Sequence, residues 1–298
     1  MIRVIRAAAL AAVLAGCAGP AQAPPTVVFL SDFGATDDSV AICKGVMLQV
    51  EPRLRIVDLT HEVPPFSILD GARFLAGTAP HFPPGTVFVA VVDPGVGGER
   101  KAVVVRTRRG QTFVLPDNGL ITLVADRDGV EEAREIVDRG FLRGSGRSST
   151  FHGRDVFSPV AAHLARGEDW RKVGPVVDRW VRLEIAAARI DGGALFGEVI
   201  ALDGPYGNLV TNVDAELFGR LGWVIGDRVP VQVGTAAITL PFVRTFSDVP
   251  EQQPLLYVDS RDRLALAINL GDFAKTHGVK PPVPLRVNLK SPSPGSPR

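Results

Sequence analysis

Residues 26–59 read TVVFLSDFGATDDSVAICKGVMLQVEPRLRIVDL, and this stretch decides the fold. It opens with an apolar run at 26–30, which breaks into a polar loop before apolar residues recur at helical spacing from 39 to 50. A second apolar run follows at 56–59. Strand, loop, helix and strand in this order predict an α/β fold with a mostly parallel sheet.

The same alternation continues to about residue 166 and then changes. The pattern predicts helices over 67–79 and 155–166, and strands over 87–92, 101–106 and 112–116. Beyond residue 182, short apolar runs separated by turns predict strands at 194–202, 209–212, 228–233, 236–240, 255–258 and 264–269. We therefore expect an N-terminal α/β domain over 26–187 and a β-rich C-terminal domain over 188–290.

The first 25 residues have the composition of a secretory signal. Arg3 and Arg6 precede an apolar run at 7–14, which is shorter than the roughly 20 residues that a transmembrane helix needs. The run ends in Leu14-Ala15-Gly16-Cys17, which resembles a bacterial lipobox. This predicts a signal peptide at 1–16, lipid attachment at Cys17 and a tether at 17–25. The alternative is an ordinary cleaved signal with an incidental cysteine.

A lipid on Cys17 places the protein outside the cytoplasm, held to a bacterial membrane, at the periplasmic face or the outer membrane, by that lipid only. The chain has 2 cysteines, so Cys43 then has no disulfide partner. Cys43 lies among apolar residues at helical spacing, and we expect it to be a small buried hydrophobic side chain. The Ser/Pro-rich tail at 291–298 is expected to be disordered.

Composition and spacing exclude several classes of function. The net charge is +1 with no long basic run, which argues against a nucleic-acid partner. Gly95 and Gly97 form neither a dinucleotide fingerprint nor a phosphate-binding loop. The 5 histidines lack the spacing of metal ligands, and there is no Gly-x-Ser-x-Gly nucleophile motif. We expect no metal and no cofactor.

Polar residues gather where the predicted strands end. Asp32, Asp37 and Asp38 follow the first strand, Asp93 follows the third, and His152 precedes the last predicted helix. In α/β sheets, ligands bind outside the carboxyl ends of the strands. The convergence of acids, a histidine and glycines therefore predicts a functional site at this edge.

Several of these residues also have a structural alternative. Asp32 or Asp37 can cap the helix that begins near residue 39, and a lone His152 is compatible with a structural role. Asp117-Asn118-Gly119 is favoured as a turn. Asp155 is expected to cap a helix or to pair with Arg154.

The motifs, in their order, resemble one known family. They include 31–34 (SDFG), 56–61 (IVDLTH), 92–97 (VDPGVG), 116–120 (PDNGL), 151–155 (FHGRD) and 207–212 (GNLVTN). The chain is similar to the adenosine-forming S-adenosylmethionine hydrolases and to their relatives, the fluorinases and chlorinases. The similarity runs from Val27 to about Asn269.

The resemblance implies a catalytic triad of Asp93, Arg100 and His152 that holds and activates a water molecule. In the halogenases the positions of Asp93 and His152 carry tyrosines, that of Val96 a threonine and that of Gly153 a serine. The residues of this chain therefore favour water over halide as the nucleophile.

The resemblance also implies substrate-binding roles. Asp32 would bind the ribose diol, with Asp37, Ser39 and Gly153 nearby. Asp203 and Asn208 would hold the amino and carboxylate groups of methionine. Aromatic packing on adenine or ribose is assigned to Phe66, Tyr206 and Phe246, and adenine-edge contacts to Ser260 and Arg261.

The family further implies a β-barrel-like C-terminal domain and a homotrimer with active sites between subunits. Two other functions remain open: a 5′-halogenase, and a surface lipoprotein that binds adenosine or a related nucleoside without turnover. The second arises because S-adenosylmethionine is made in the cytoplasm, whereas the signal exports this chain.

Overall fold

A computed structural model describes residues 24–144 and 148–291 of the chain, in two compact units. One unit holds the described residues up to Phe66, together with Phe82–Asp117 and Asp128–Arg179. The other holds Ser67–His81, Asn118–Arg127 and the described residues from Trp180 onward. The predicted signal peptide, Cys17 and the tail after Ser291 lie outside the described residues. The predicted boundary between residues 187 and 188 stays a prediction.

The first unit is built on a sheet of six strands. They are β1 (Thr26–Ser31), β2 (Arg55–Thr60), β3 (Val87–Val91), β4 (Ala102–Thr107), β5 (Thr112–Pro116) and β6 (Val130–Glu135). Their order in space is β2-β1-β3-β5-β4-β6. The pairs among β2, β1, β3 and β5 are parallel, whereas β4 runs antiparallel to both β5 and β6. The predicted mostly parallel sheet is confirmed.

Six α-helices accompany the strands in the described part of the chain. They are α1 (Ser39–Val50), α2 (Ile68–Thr78), α3 (Thr122–Asp128), α4 (Ser158–Ala165), α5 (Ala215–Gly219) and α6 (Phe273–His277). Helices α1 and α4 cover the first sheet, and Cys43 and Met47 pack with Val160 and Phe29 in one apolar core. Cys43 has 0% exposure, as expected of a buried hydrophobic side chain. Burial raises the pKa of its thiol to about 11.

The helix predicted over 155–166 is wrong at its start. Gly153–Phe157 forms a π-helical turn, and the α-helix begins only at Ser158. The Ser158 N–H donates to the Gly153 carbonyl five residues back. Pro159 has no N–H to donate to the Asp155 carbonyl, which instead accepts from the Arg143 N–H at 3.1 Å. The proline therefore prevents an ordinary α-helical start.

The second unit contains an antiparallel sheet of eight strands. They are β7 (Arg189–Asp191), β8 (Ala194–Asp203), β9 (Asn208–Asp214), β10 (Arg228–Val233), β11 (Ala236–Pro241), β12 (Pro254–Val258), β13 (Arg263–Ile268) and β14 (Val283–Asn288). The main path runs β11-β10-β14-β8-β9-β13-β12, with β7 paired to β8. A bridge between Phe242 and Leu256 brings the two ends of this path together, so the sheet is a nearly closed barrel.

Candidate active site

Asp93, Arg100 and His152 meet in the first unit. Arg100 Nε donates to Asp93 Oδ1 at 2.8 Å, and its Nη2 donates to Asp93 Oδ2. The same Nη2 lies 2.7 Å from His152 Nδ1. The Asp93 and Arg100 side chains are only 5% and 11% exposed. A buried, two-pronged ion pair of this kind holds both partners in a fixed orientation.

This geometry decides which ring nitrogen of His152 carries the proton. A guanidinium group has only donors, so His152 Nδ1 must accept from Arg100. A neutral imidazole whose Nδ1 accepts carries its hydrogen on Nε2. His152 therefore presents an N–H group on the side of its ring away from Arg100.

The loop between Asp93 and Arg100 folds tightly because it contains glycines. A Cβ on Gly95 would lie 3.3 Å from Arg100 Cγ, so a larger residue would press on the Arg100 side chain. Gly97 has a φ of 77°, and a Cβ there would overlap the carbonyl oxygen of Ser149. Arg100 also lies over the ring of Phe157, at 5.4 Å from its centroid.

Gly153 lies between two aromatic rings. A Cβ at this position would lie 2.9 Å from Phe33 Cζ and 3.3 Å from Phe151 Cε2. The Phe33 and Phe151 rings meet edge to face, with centroids 6.0 Å apart. Neither phenylalanine is among the predicted site residues, although both lie within motifs on which the resemblance depends.

Asp32 and Phe66 are held together by one hydrogen bond. The Phe66 N–H donates to Asp32 Oδ2 at 3.0 Å. Phe66 has a φ of 67° and a side chain that is 71% exposed. An exposed aromatic residue in the left-handed region is strained, and such strain concentrates at ligand sites. Because Asp32 accepts from Phe66 and the N-cap of α1 is Asp38, Asp32 does not cap this helix.

Asp37 contacts the first residue of α1 without being its N-cap. Its Oδ1 accepts from the Ser39 N–H at 2.9 Å, whereas the N-cap residue is Asp38, whose side chain makes no capping hydrogen bond. The alternative in which Asp37 is the N-cap is therefore wrong, and its contact with Ser39 is a local side-chain to backbone bond. The predicted binding roles of both residues stay predictions.

In the second unit, Asp203 and Asn208 face each other at the end of the β8–β9 hairpin. The Tyr206 N–H donates to the Asp203 carbonyl at 3.1 Å, and the Tyr206 side chain is 67% exposed. Arg73 Nη2 lies 4.0 Å from Asp203 Oδ1 and is buried without a hydrogen-bond partner among the described residues. Arg73 is not among the predicted site residues, since an arginine within a helix gives no signal of its own in the sequence.

The other predicted residues of the second unit lie along one stretch of the barrel. The ring of Phe246 packs against that of Tyr257, with centroids 5.0 Å apart. Ser260 and Arg261 are exposed in the turn between β12 and β13. The Arg261 guanidinium covers Gly77 of α2, where a Cβ would lie 2.9 Å from Arg261 Nε.

One predicted turn and one predicted ion pair are confirmed. Asn118 Oδ1 accepts from the Leu120 N–H at 3.3 Å, which is the geometry of an Asx turn. Asp155 pairs with Arg154 through both carboxylate oxygens, at 2.6 and 2.8 Å. The hydrogen bonds from Arg154 hold the pKa of Asp155 below its usual value.

A cavity of about 390 Å³ lies elsewhere in the second unit. Its lining includes Arg189, Phe196 and Arg286, and none of the predicted site residues. We therefore place the candidate site by its chemistry and not by this cavity. Within the described parts of the chain, no three His, Cys, Asp or Glu side chains are arranged to hold a metal ion. No described helix is both long and apolar enough to span a membrane.

These features define a class of two-domain protein: an α/β unit with a buried Asp-Arg-His cluster, and an antiparallel barrel-like unit. Residues 27–174 match the model of the SAM hydroxide adenosyltransferase N-terminal domain. Residues 197–286 match the model of the corresponding C-terminal domain. The chain belongs to the SAM hydroxide adenosyltransferase family.

The similarity to named relatives extends along most of the chain. A Salinispora tropica protein named (R)-S-adenosyl-L-methionine hydrolase is 38% identical over 266 residues, which cover 88% of this chain and 97% of the relative. A Thermus thermophilus protein of the same name is 38% identical over 267 residues, covering 88% and 98%. A fluorinase from an Actinoplanes species is 33% identical over 290 residues, covering 88% and 96%.

The fold also matches a solved structure. An uncharacterized conserved protein from Thermotoga maritima superposes with a TM-score of 0.84 at 38% identity. The match covers 88% of this chain and 99% of that protein.

Proposed function

We propose that this chain hydrolyses S-adenosyl-L-methionine to adenosine and L-methionine. The observation that carries the proposal is the buried hydrogen-bonded chain from Asp93 through Arg100 to His152. Three groups that can position one water molecule, in a chain whose relatives include S-adenosyl-L-methionine hydrolases, support this reaction over the alternatives.

The reaction requires little more than a correctly positioned nucleophile. The water oxygen attacks the 5′ carbon of the ribose, and the bond from that carbon to sulfur breaks with its electron pair going to sulfur. The sulfonium leaves as a neutral thioether, so no general acid and no cofactor are needed. The protein then contributes by aligning the attacking water with the 5′ carbon and by excluding bulk water.

The hydrogen-bond directions support Asp93 as the group that accepts the proton from the water. Arg100 has only donors, and His152 uses Nδ1 to accept from it, which leaves the ring hydrogen on Nε2. A carboxylate oxygen can accept a second hydrogen bond beside that from Arg100. As the new carbon–oxygen bond forms, the water becomes strongly acidic, so a carboxylate suffices as the base. Arg100 and His152 stabilise the hydroxide character of the nucleophile.

The substrate contacts follow the resemblance. Asp32 accepts from the ribose hydroxyls, Asp203 and Asn208 hold the amino-acid end, and Phe66, Tyr206 and Phe246 pack on the nucleoside. The (R) in the relatives' names points to the configuration at sulfur. We therefore extend the proposal to the (R) epimer at sulfur as the preferred substrate.

Product analysis in labelled water tests the reaction. Purified protein is incubated with each sulfur epimer of S-adenosyl-L-methionine in H₂¹⁸O. The products are separated, and their masses are measured by mass spectrometry. We expect equal amounts of adenosine and methionine, with the label in the adenosine 5′-hydroxyl. A halide-dependent 5′-halo-5′-deoxyadenosine would overturn the proposal in favour of halogenation. Tight adenosine binding with intact substrate, unchanged in Asp93→Ala, would favour the non-catalytic binding protein.

We also propose that the protein is a homotrimer with active sites between subunits. The family resemblance supports this assembly. Native mass spectrometry is expected to give the mass of three chains. A monomer that turns over substrate at the full rate would contradict the proposal.

Finally, we propose that a lipid on Cys17 anchors the protein to a bacterial membrane, outside the cytoplasm. The support is the lipobox-like sequence Leu14-Ala15-Gly16-Cys17. Cells fed radiolabelled palmitate are expected to label the wild-type protein but not Cys17→Ala. Equal labelling of the two would favour an ordinary cleaved signal.

A further inference from the structure

Four side chains at the ends of β1 and β2 and on α1 form a hydrogen-bonded chain that the proposed reaction does not use. Ser31 Oγ lies 2.7 Å from His61 Nδ1. His61 Nε2 lies 3.2 Å from Asp58 Oδ1, and Lys44 Nζ donates to Asp58 Oδ2 at 2.6 Å. The His61 ring also meets the Phe29 ring edge to face, with centroids 4.6 Å apart.

The partners fix the direction of each bond. Burial raises the pKa of Asp58, but the hydrogen bonds from Lys44 and His61 outweigh it and hold the pKa below its usual value. A charged carboxylate only accepts, so His61 donates from Nε2 and its Nδ1 accepts in the neutral form. The Ser31 hydroxyl therefore donates to His61.

Ser31 is not a nucleophile, because it has 0% exposure. The hydrogen bonds around Ser31 and His61 indicate a structural role for this group of side chains instead. The Gly34 N–H donates to the His61 carbonyl at 2.7 Å, and the Val63 N–H lies 3.4 Å from the Ser31 carbonyl. The loop that carries Asp32 is thus tied to the segment after β2 by backbone bonds and by the His61 side chain.

The same segment also controls the Asp32 carboxylate. It leads to Phe66, whose N–H donates to Asp32 Oδ2. We propose that His61 is a positioning residue, which fixes the 31–34 loop through Ser31 and so sets the Asp32 carboxylate for the ribose diol. The inference rests on the proposed function only in taking a ribose diol as the ligand of Asp32.

Substitutions of His61 separate this role from a general structural one. A diol contact acts equally on the ground state and the transition state, so its loss raises KM and leaves kcat unchanged. We expect His61→Leu to raise KM by about 10-fold, which corresponds to ~1.4 kcal/mol. His61→Asn, whose Oδ1 can replace Nδ1 as the acceptor, should restore part of that loss. The backbone bonds of the loop remain in both variants.

A second histidine offers a matched control. His163 has a side chain that is 15% exposed, against 11% for His61, and its Nδ1 lies 2.8 Å from Glu168 Oε1. His163→Leu is expected to leave KM unchanged. Ser31→Ala removes only the hydroxyl and should raise KM in the same direction as His61→Leu, which keeps the test valid should His61→Leu fail to fold.

Adenosine binding, measured by calorimetry, separates a failure of this inference from a failure of the proposed function. If the wild type binds adenosine without turnover, the hydrolase proposal fails, and a weaker adenosine affinity in His61→Leu still supports positioning. The inference is overturned if His61→Leu and Ser31→Ala change KM and adenosine affinity no more than His163→Leu does. It is also overturned if they lower only the active fraction, or if the wild type binds no nucleoside.

Discussion

Two aspartates of the first unit are paired with arginines in nearly the same way, yet we expect them to have different roles. Asp93 and Asp155 each bind both prongs of an arginine, with side chains 5% and 4% exposed. Asp93 shares its arginine with His152, whereas Asp155 accepts from Arg154 and from the Ser148 N–H. We therefore expect the first pair to take part in the proposed reaction and the second to support the fold.

Asp93→Asn removes the proposed base but keeps the size and shape of the side chain. We expect kcat to fall by about 10²–10⁴-fold, the usual contribution of general base catalysis, with a smaller change in KM. Steady-state kinetics with S-adenosyl-L-methionine measures both constants. Asp155→Asn serves as the matched control and should keep kcat close to the wild-type value. Equal losses of kcat in the two variants would contradict the assignment of the base.

Asp155→Asn should instead lower stability. Loss of a charged, buried hydrogen-bond partner is expected to reduce the free energy of unfolding by about 1–3 kcal/mol at pH 7. Because the hydrogen bonds from Arg154 lower the pKa of folded Asp155, its contribution is present above the unfolded pKa of about 3.9 and is lost as the pH falls through the folded value. Denaturant titrations of both proteins should therefore converge in acid. A difference that stays constant down to low pH would refute this account.

Among the elements, the ends of parallel strands explain the placement of two aspartates. Asp32 follows β1 and Asp93 follows β3, its neighbour in the sheet, and Arg100 joins Asp93 to His152. The same rule applied to the end of β2 would have found His61. The N-cap of α1 is Asp38 and not Asp32 or Asp37, since neighbouring aspartates in such a loop give the same signal in the sequence.

Other elements gave weaker signals. Strand β6 has the sequence VEEARE, and its charged side chains hide the apolar alternation of an edge strand. The π-helical turn at Gly153–Phe157 depends on the missing N–H of Pro159 and on a distant carbonyl partner. The contact between Gly77 and Arg261 joins residues far apart in sequence, so no local pattern predicts it.

Helix α2 provides a test of that contact. Gly77→Ala improves helix propensity, but its Cβ would lie 2.9 Å from Arg261 Nε and displace the guanidinium. We expect KM to rise by about 3- to 10-fold, the effect of losing roughly 0.7–1.4 kcal/mol of binding. In α1, a Cβ added to Gly45 would meet no described atom within 4 Å. Gly45→Ala should therefore stabilise the protein by about 0.4–1 kcal/mol without changing KM. An unchanged KM in Gly77→Ala would show that Arg261 does not bind substrate.

In the molecule as a whole, the described residues form a large apolar core in each unit, with a smaller cluster around Leu255 and Tyr257 in the second unit. Short apolar runs and helical spacing predicted the mostly parallel sheet and the β-rich second half, because strands such as β1, β3 and β5 are buried along nearly their whole length. The division of the chain could not be predicted, since Ser67–His81 and Asn118–Arg127 belong to the second unit although the first unit surrounds them in sequence.

Cys43 gives a direct measure of the first core. Its thiol has 0% exposure and a pKa raised by burial to about 11, so almost no reactive thiolate is present at pH 8. With Cys17→Ser in place, we expect Cys43 to resist a disulfide reagent in the native protein and to react fully in guanidinium chloride. As a matched control, Ala41→Cys in a Cys43→Ser background places the thiol on the exposed side of α1 and should react at once.

Because labelling of Cys43 requires this core to open, its rate at low denaturant reports the free energy of that opening. Native Cys43 labelling as fast as that of the Ala41→Cys control would mean that α1 separates readily from the sheet, and the Asp32 loop that precedes α1 would then be too loosely held to position a substrate.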